Sequence, residues 1–113
     1  MHELSVAQSI VDLACEQATK AEATKVLKIR LSLGVLSGVV KEALEFCFPL
    51  ACKGTCAEGS ELDIDVKPAK AHCPECGADF ELEDFVLVCS RCGSMPVELV
   101  EGGELKVSSL DVE

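Results

Sequence analysis

Tryptophan and tyrosine are absent from this 113-residue chain, and its four aromatic residues are all phenylalanine. With 49% apolar residues a real core can form, but that core must be aliphatic. No apolar run approaches the length needed to cross a bilayer, which excludes a membrane-spanning reading. No secretory leader pattern opens the chain: an amphipathic pattern begins at once. The expectation is therefore a cytoplasmic protein, with its eight cysteines reduced or metal-bound. There is no Ser/His/Asp set, phosphate loop or nucleotide fingerprint, so the chain is expected not to be an enzyme.

Positive charge is scarce in one half. Residues 1–57 hold six Lys/Arg against six acids and are neutral, whereas residues 58–113 hold four bases against fourteen acids. The second half thus carries the whole net charge of −10, and thiolates around a divalent ion would deepen it. Such a surface repels phosphate backbones, and counterion release cannot drive its binding to nucleic acid. The acids otherwise serve solubility or docking to a basic partner.

What the chain does have is a pair of matched knuckles. They read Cys73-Pro74-Glu75-Cys76-Gly77 and Cys89-Ser90-Arg91-Cys92-Gly93, with twelve residues between the inner cysteines. A Cys-x-x-Cys turn aims two thiolates at one ion, backbone amides can donate to the sulfurs, and the following glycine suits a positive φ. Two such turns at opposite ends of a short hairpin make the closed tetrahedral cage of structural zinc. Zinc is the expected occupant of Cys73, Cys76, Cys89 and Cys92, with iron as the alternative because Cys-Pro-x-Cys-Gly knuckles also build rubredoxin-like sites.

Around the knuckles the pattern is α+β. Leu4, Ala7, Ile10, Val11, Ala14 and Ala18 follow helical spacing, predicting a helix over 4–20. Leu27, Ile29, Leu31 and Leu33 alternate with polar residues, predicting a strand over 25–33. A second helix is expected over 39–52, with Val40, Ala43, Leu44, Cys47, Phe48 and Ala51 inward and Pro49 kinking or shortening it. Leu62, Ile64 and Val66 predict a strand that stops at Pro68. Short strands are expected near 79–82 and 85–88, and a last strand over 104–112 that returns to the first sheet. The expected architecture is a small mixed three-stranded sheet with two helices, plus an inserted zinc-ribbon module. Its parts are residues 1–69 with 97–113 as one domain and residues 70–96 as the ribbon. Cys15 and Cys47 fall on apolar helix faces and read as core. Cys52 and Cys56 lack a facing pair and read as unpaired thiols.

Only two histidines occur, and one is residue 2. The α-amine of Met1, the amide nitrogen of His2 and its imidazole can close two fused chelate rings on one ion. With the amide deprotonated this is a planar nitrogen set, suited to Ni(II) or Cu(II) and not to tetrahedral zinc. Glu3 could supply a fourth donor. Spacing alone leaves the alternative that His2 is merely a frayed terminal residue.

The conjunction of Met1-His2-Glu3, the strand end Leu31-Ser32-Leu33-Gly34, the helix segment Leu44-Glu45-Phe46-Cys47-Phe48 and the paired knuckles resembles the HypA family along the full length. These are nickel metallochaperones of [NiFe]-hydrogenase maturation. The resemblance implies a nickel site at the N-terminus with His2 as essential ligand, and a structural zinc on the four knuckle cysteines. It also implies a GTPase partner, HypB, which would supply the nucleotide hydrolysis this chain lacks, and delivery to the hydrogenase large subunit. The expected state is a monomer or a homodimer. Some family members carry histidines close behind their cysteine pairs; here the candidate is His72, placed before the first knuckle, and it reads as a neighbour of the zinc site or a surface residue. Rival readings are a zinc-ribbon interaction or regulatory module without nickel transfer, and a rubredoxin-like electron carrier.

Overall fold

The computed structural model describes residues 3–82, 88–89, 91–93, 95 and 97–113. Helix α1 (Glu3–Lys20) buries Val6, Ala7, Ile10, Val11, Ala14 and Ala18 along one stripe. Glu3 in its first turn and Lys20 in its last both complement the helix dipole. It stops where Glu22 takes a left-handed φ of 58° and the Ala23 amide donates to the Ala18 carbonyl at 2.8 Å, a Schellman closure.

Strand β1 (Val26–Gly34) follows, then helix α2 (Lys41–Cys52) and strand β2 (Glu61–Lys67). Three short strands come next, β3 (Ala69–His72), β4 (Asp79–Leu82) and β5 (Glu98–Glu101), and β6 (Leu105–Val112) ends the fold. The chain forms two compact units. One comprises the residues up to Ser32, Val39–Asp65 and Lys106–Glu113; the other comprises Leu33–Gly38 and Val66–Leu105.

The first sheet has the order β2-β1-β6. Lys25 and Glu113 exchange backbone hydrogen bonds at 3.2 and 2.9 Å, so β6 runs antiparallel to β1. Beside β1 on its other edge, β2 runs parallel. The Val26 amide reaches the Cys56 carbonyl just before β2 begins, and the Val35 amide reaches Lys67 at its end. A parallel pair needs a crossover, and α2 is that crossover. The sheet is therefore mixed, and the last strand does return to it. Val26, Ile29 and Leu31 of β1 are buried, as are the stripe of α1 and Leu44, Phe48 and Cys52 of α2, and the two helices pack on each other.

Three expectations are corrected in this unit. Leu27 is exposed and Val26 takes its buried place; Val40 is exposed at the mouth of α2; and α2 runs through Pro49 without being shortened. The helix survives because Pro49 and Glu45, the residue whose carbonyl it leaves unpaired, both face solvent.

The second unit is built on an antiparallel sheet of order β4-β3-β5. Ala69 faces Leu82 and His72 faces Asp79 across β3 and β4, while a bulge between Lys70 and Ala71 sets the register against β5. Its core is Leu36, Ala69, Ala71, Cys73, Leu82, Cys89 and Val97, with Phe80 packed against it. Strand 79–82 stands where expected; most of the expected strand at 85–88 lies outside the described residues. Among the described residues β4 pairs with β3, and β5 lies on the other side of β3. This unit therefore draws in more chain than the 70–96 span, because Leu36, Ala69 and Val97 share its core.

Candidate metal centre

The two knuckles sit at matching backbone turns. Gly77 donates its amide to the Cys73 carbonyl at 2.8 Å, and Gly93 donates to the Cys89 carbonyl at 3.0 Å. Their φ angles are 74° and 75°, in the left-handed region that an L side chain resists. Open space surrounds both positions, so backbone conformation alone accounts for glycine there. The Cys73 amide also donates to the Ala78 carbonyl at 2.9 Å, which closes the first turn onto the start of β4.

These turns bring together Cys73, Cys76, Cys89 and Cys92, whose sulfurs all lie within 4.8 Å of one another. The cross-knuckle separations are 3.6 Å for Cys73–Cys92 and 3.7 Å for Cys76–Cys89. Four ligands at a metal–sulfur distance of about 2.3 Å in a tetrahedron stand about 3.8 Å apart. The sulfurs are thus already spaced for one thiolate-bound ion. Each knuckle gives one buried sulfur, Cys73 or Cys89, and one exposed sulfur, Cys76 or Cys92.

Electrostatics separates Cys89 from Cys76. The amides of Cys92 and Arg91 both point at Cys89 Sγ at 3.4 Å, and the Cys92 amide is the main reason the Cys89 thiol is held below its ordinary range. Cys76 receives the Ala78 amide, but burial and hydrogen bonds with the Cys89, Cys73 and Cys92 sulfurs outweigh it and push the thiol up to about 11. Four adjacent sulfurs cannot all hold negative charge unaided. A cation at their centre removes that conflict.

His72 stands just before the first knuckle but outside the four-sulfur cluster. Its Nδ1 lies 2.7 Å from Asp79 Oδ1, across the β3–β4 pair, so it clamps the strands that carry the knuckle. Met1 and His2 lie outside the described residues. Glu3 is half-buried in the first turn of α1.

Sequence reasoning missed one side-chain cluster. Cys15, expected as core, is only half-buried, and the Cys56 thiol donates to Cys15 Sγ at 2.7 Å. Cys56 is therefore not an unpaired thiol. No local spacing announces the pair, because it joins residues 41 apart in sequence.

Comparison with known proteins agrees along the whole chain. The family described as hydrogenase/urease nickel incorporation, metallochaperone, HypA matches residues 1–112. Hydrogenase maturation factor HypA of Geobacter sulfurreducens is 42% identical over 113 residues, covering all of both chains. Hydrogenase maturation factor HybF of Klebsiella pneumoniae is 41% identical, again over the full length of both. The solution structure of the Ni metallochaperone HypA from Helicobacter pylori superposes with a TM-score of 0.72 at 27% identity, over 99% of this chain and 97% of that one. A second HypA solution structure gives 0.73 at 28% identity, over 100% and 97%. With the family match spanning residues 1–112 and relatives above 40% identity end to end, this chain belongs to the HypA family of nickel metallochaperones for hydrogenase maturation.

Proposed function

We propose that this protein carries Ni(II) on its N-terminus and delivers it to a [NiFe]-hydrogenase large subunit, while a zinc ion in the four-cysteine cage holds the second unit folded. The observation that carries this reading is a family match that starts at residue 1 and so includes Met1-His2-Glu3. The Met1 amine, the His2 amide nitrogen and the His2 imidazole form a planar donor set that prefers Ni(II) geometry. Glu3 supplies a fourth donor or leaves that position to the recipient. Three donors at a chain end can be exchanged one at a time, which suits capture and release rather than storage.

Zinc fits the cage because the sulfur spacing is tetrahedral and d¹⁰ Zn(II) imposes no other geometry. Cys73, Cys76, Cys89 and Cys92 would hold it, and it would supply folding free energy and no chemistry. The protein acts in the cytoplasm without catalysing a reaction, and a HypB-type GTPase provides the energy-dependent step. The family description covers urease as well as hydrogenase; the relatives named above are hydrogenase maturation factors, which favours the hydrogenase as recipient.

Nickel titration of two variants tests this reading. His2→Ala should abolish nickel binding with zinc content and helix content unchanged. Extending the chain before Met1 should do nearly the same, because it turns the terminal amine into an amide and destroys the first chelate ring. The weak d–d band of planar nickel should be missing from both. Normal nickel binding by both variants would remove the chemical basis of the proposal.

A further inference from the structure

Three cysteines outside the metal cage converge where the C-terminal half of α1 meets the end of α2. Cys15 sits on α1, Cys52 is the last residue of α2, and Cys56 lies in the turn that leads to β2. The Cys56 and Cys15 sulfurs are 2.7 Å apart, closer than the 3.6 and 3.7 Å contacts within the metal cage. Both residues are half-buried, so a small molecule can reach them. Cys52 is 1% exposed and out of reach. We infer that Cys15 and Cys56 form a redox-modifiable dithiol, which a peroxide converts to an intramolecular disulfide tying α1 to the turn after α2.

The order of events follows from the hydrogen bond. Cys56 donates and Cys15 accepts, so Cys15 is the sulfur whose own proton is not engaged within the pair. Burial, and then the hydrogen bond to Cys15, push the Cys56 thiol up to about 11, which keeps its proton in place. Burial, and then Cys15, likewise hold Cys52 protonated, at about 11. The Cys15 sulfur attacks one peroxide oxygen and breaks the O–O bond while its proton passes to the departing hydroxide; a sulfenic acid forms and the first water leaves. The Cys56 sulfur then attacks Cys15 sulfur, its proton passes to the departing hydroxide, and the second water leaves. Two thiols lose two electrons and two protons, and one hydrogen peroxide is reduced to two waters. Only a short approach of the sulfurs separates the reduced pair from the disulfide bond length of about 2.05 Å.

The test uses the full-length, metal-loaded protein, treated with one equivalent of hydrogen peroxide and mapped by non-reducing tryptic digestion. Cleavage after Lys20 and Lys53 puts Cys15, Cys52 and Cys56 on three different peptides, so the partners are read directly. The expected result is a peptide of residues 1–20 joined to residues 54–70, since the Lys67–Pro68 bond resists trypsin, two hydrogens lighter than their sum and separated again by dithiothreitol. Loss of two titratable thiols per chain should accompany it. Cys15→Ser should leave Cys56 reduced under the same treatment. The inference is overturned if Cys15 is found joined to the Cys47/Cys52 peptide, oxidised to sulfinic acid without a partner, or still reduced after the cage cysteines have been consumed.

Discussion

A methyl group placed on Gly34 would come within 2.2 Å of the carbonyl oxygen of Gly102. That carbonyl also accepts the Leu36 amide at 2.8 Å, and the Gly34 amide donates to the Glu104 carbonyl at 2.8 Å. Two backbones therefore pass at hydrogen-bonding range with no room for a side chain between them. Gly102 is squeezed from its other side as well, where an added Cβ would meet Ala69 Cα at 2.3 Å.

We predict that Gly34→Ala destabilises the protein by about 2–3 kcal/mol, the range for forcing an extra carbon into packed structure. Gly102→Ala should be worse, because its φ of 108° adds backbone strain to the clash. The adjacent Gly103→Ala should be nearly neutral, since its only close neighbour is the tip of Leu99 at 3.4 Å. Urea denaturation midpoints for the three variants provide the check, and equal values would refute the close-approach explanation.

The cage makes a second prediction. Cys73→Ala should lose the metal and melt the second unit, because a small metal-stapled module draws much of its folding free energy from its ion. Cys73 is also part of that unit's core, so the loss is doubled. Amide exchange is the appropriate readout, since no Trp or Tyr exists to report tertiary structure. Protection of β3, β4 and β5 should vanish in the variant while α1 keeps its own. Elemental analysis that still found one tightly held ion per variant chain would contradict the assignment of ligands.

Phe46 and Phe48 lie two residues apart on α2 and should behave oppositely. Phe46 is 85% exposed and Phe48 is 3% exposed. Phe48→Ala should cost about 3–5 kcal/mol, the usual penalty for emptying a core site. Phe46→Ala should stay within about 0.5 kcal/mol. Paired thermal melts decide the matter.

Acid should weaken the first sheet through one ion pair. Arg30 Nη1 and Nη2 each reach an Asp111 carboxylate oxygen at 2.9 Å, linking β1 to β6. The hydrogen bond from Arg30 holds the Asp111 carboxyl below its ordinary range. A carboxyl whose folded pKa is depressed contributes stability above its unfolded value, and loses it as pH falls through the folded value. Wild type should therefore lose stability below about pH 4 more steeply than Asp111→Asn. Because the pair is solvent-exposed, added salt should shrink the difference. Superimposable pH profiles for the two proteins would leave Asp111 without a role in acid stability.

The parts legible in the sequence were those with a strong local period or a fixed motif. The α1 stripe, the α2 core positions Leu44 and Phe48, β6 and the four cysteines all announced themselves in that way. What escaped was decided by partners far along the chain. Strand β3 is Ala-Lys-Ala-His, a run with little intrinsic preference for a sheet, and it is a strand because β4 and β5 flank it. Strand β5 sits between glutamates and reads as solvated loop until Ala71 and His72 are seen opposite it. The Cys15–Cys56 contact has the same character. Val26 displaced Leu27 because the buried face changes at the start of β1, where period-two counting from the later residues fails.

The chain leaves the first sheet after β2 and returns to it only as β6, with both knuckles made in between. During synthesis α1, β1, α2 and β2 emerge first, and β1 must wait with one edge unpaired. An open strand edge is a template for aggregation until it is covered. Any delay before β6 forms therefore lengthens the time for which that edge stands open to proteases and to other nascent chains.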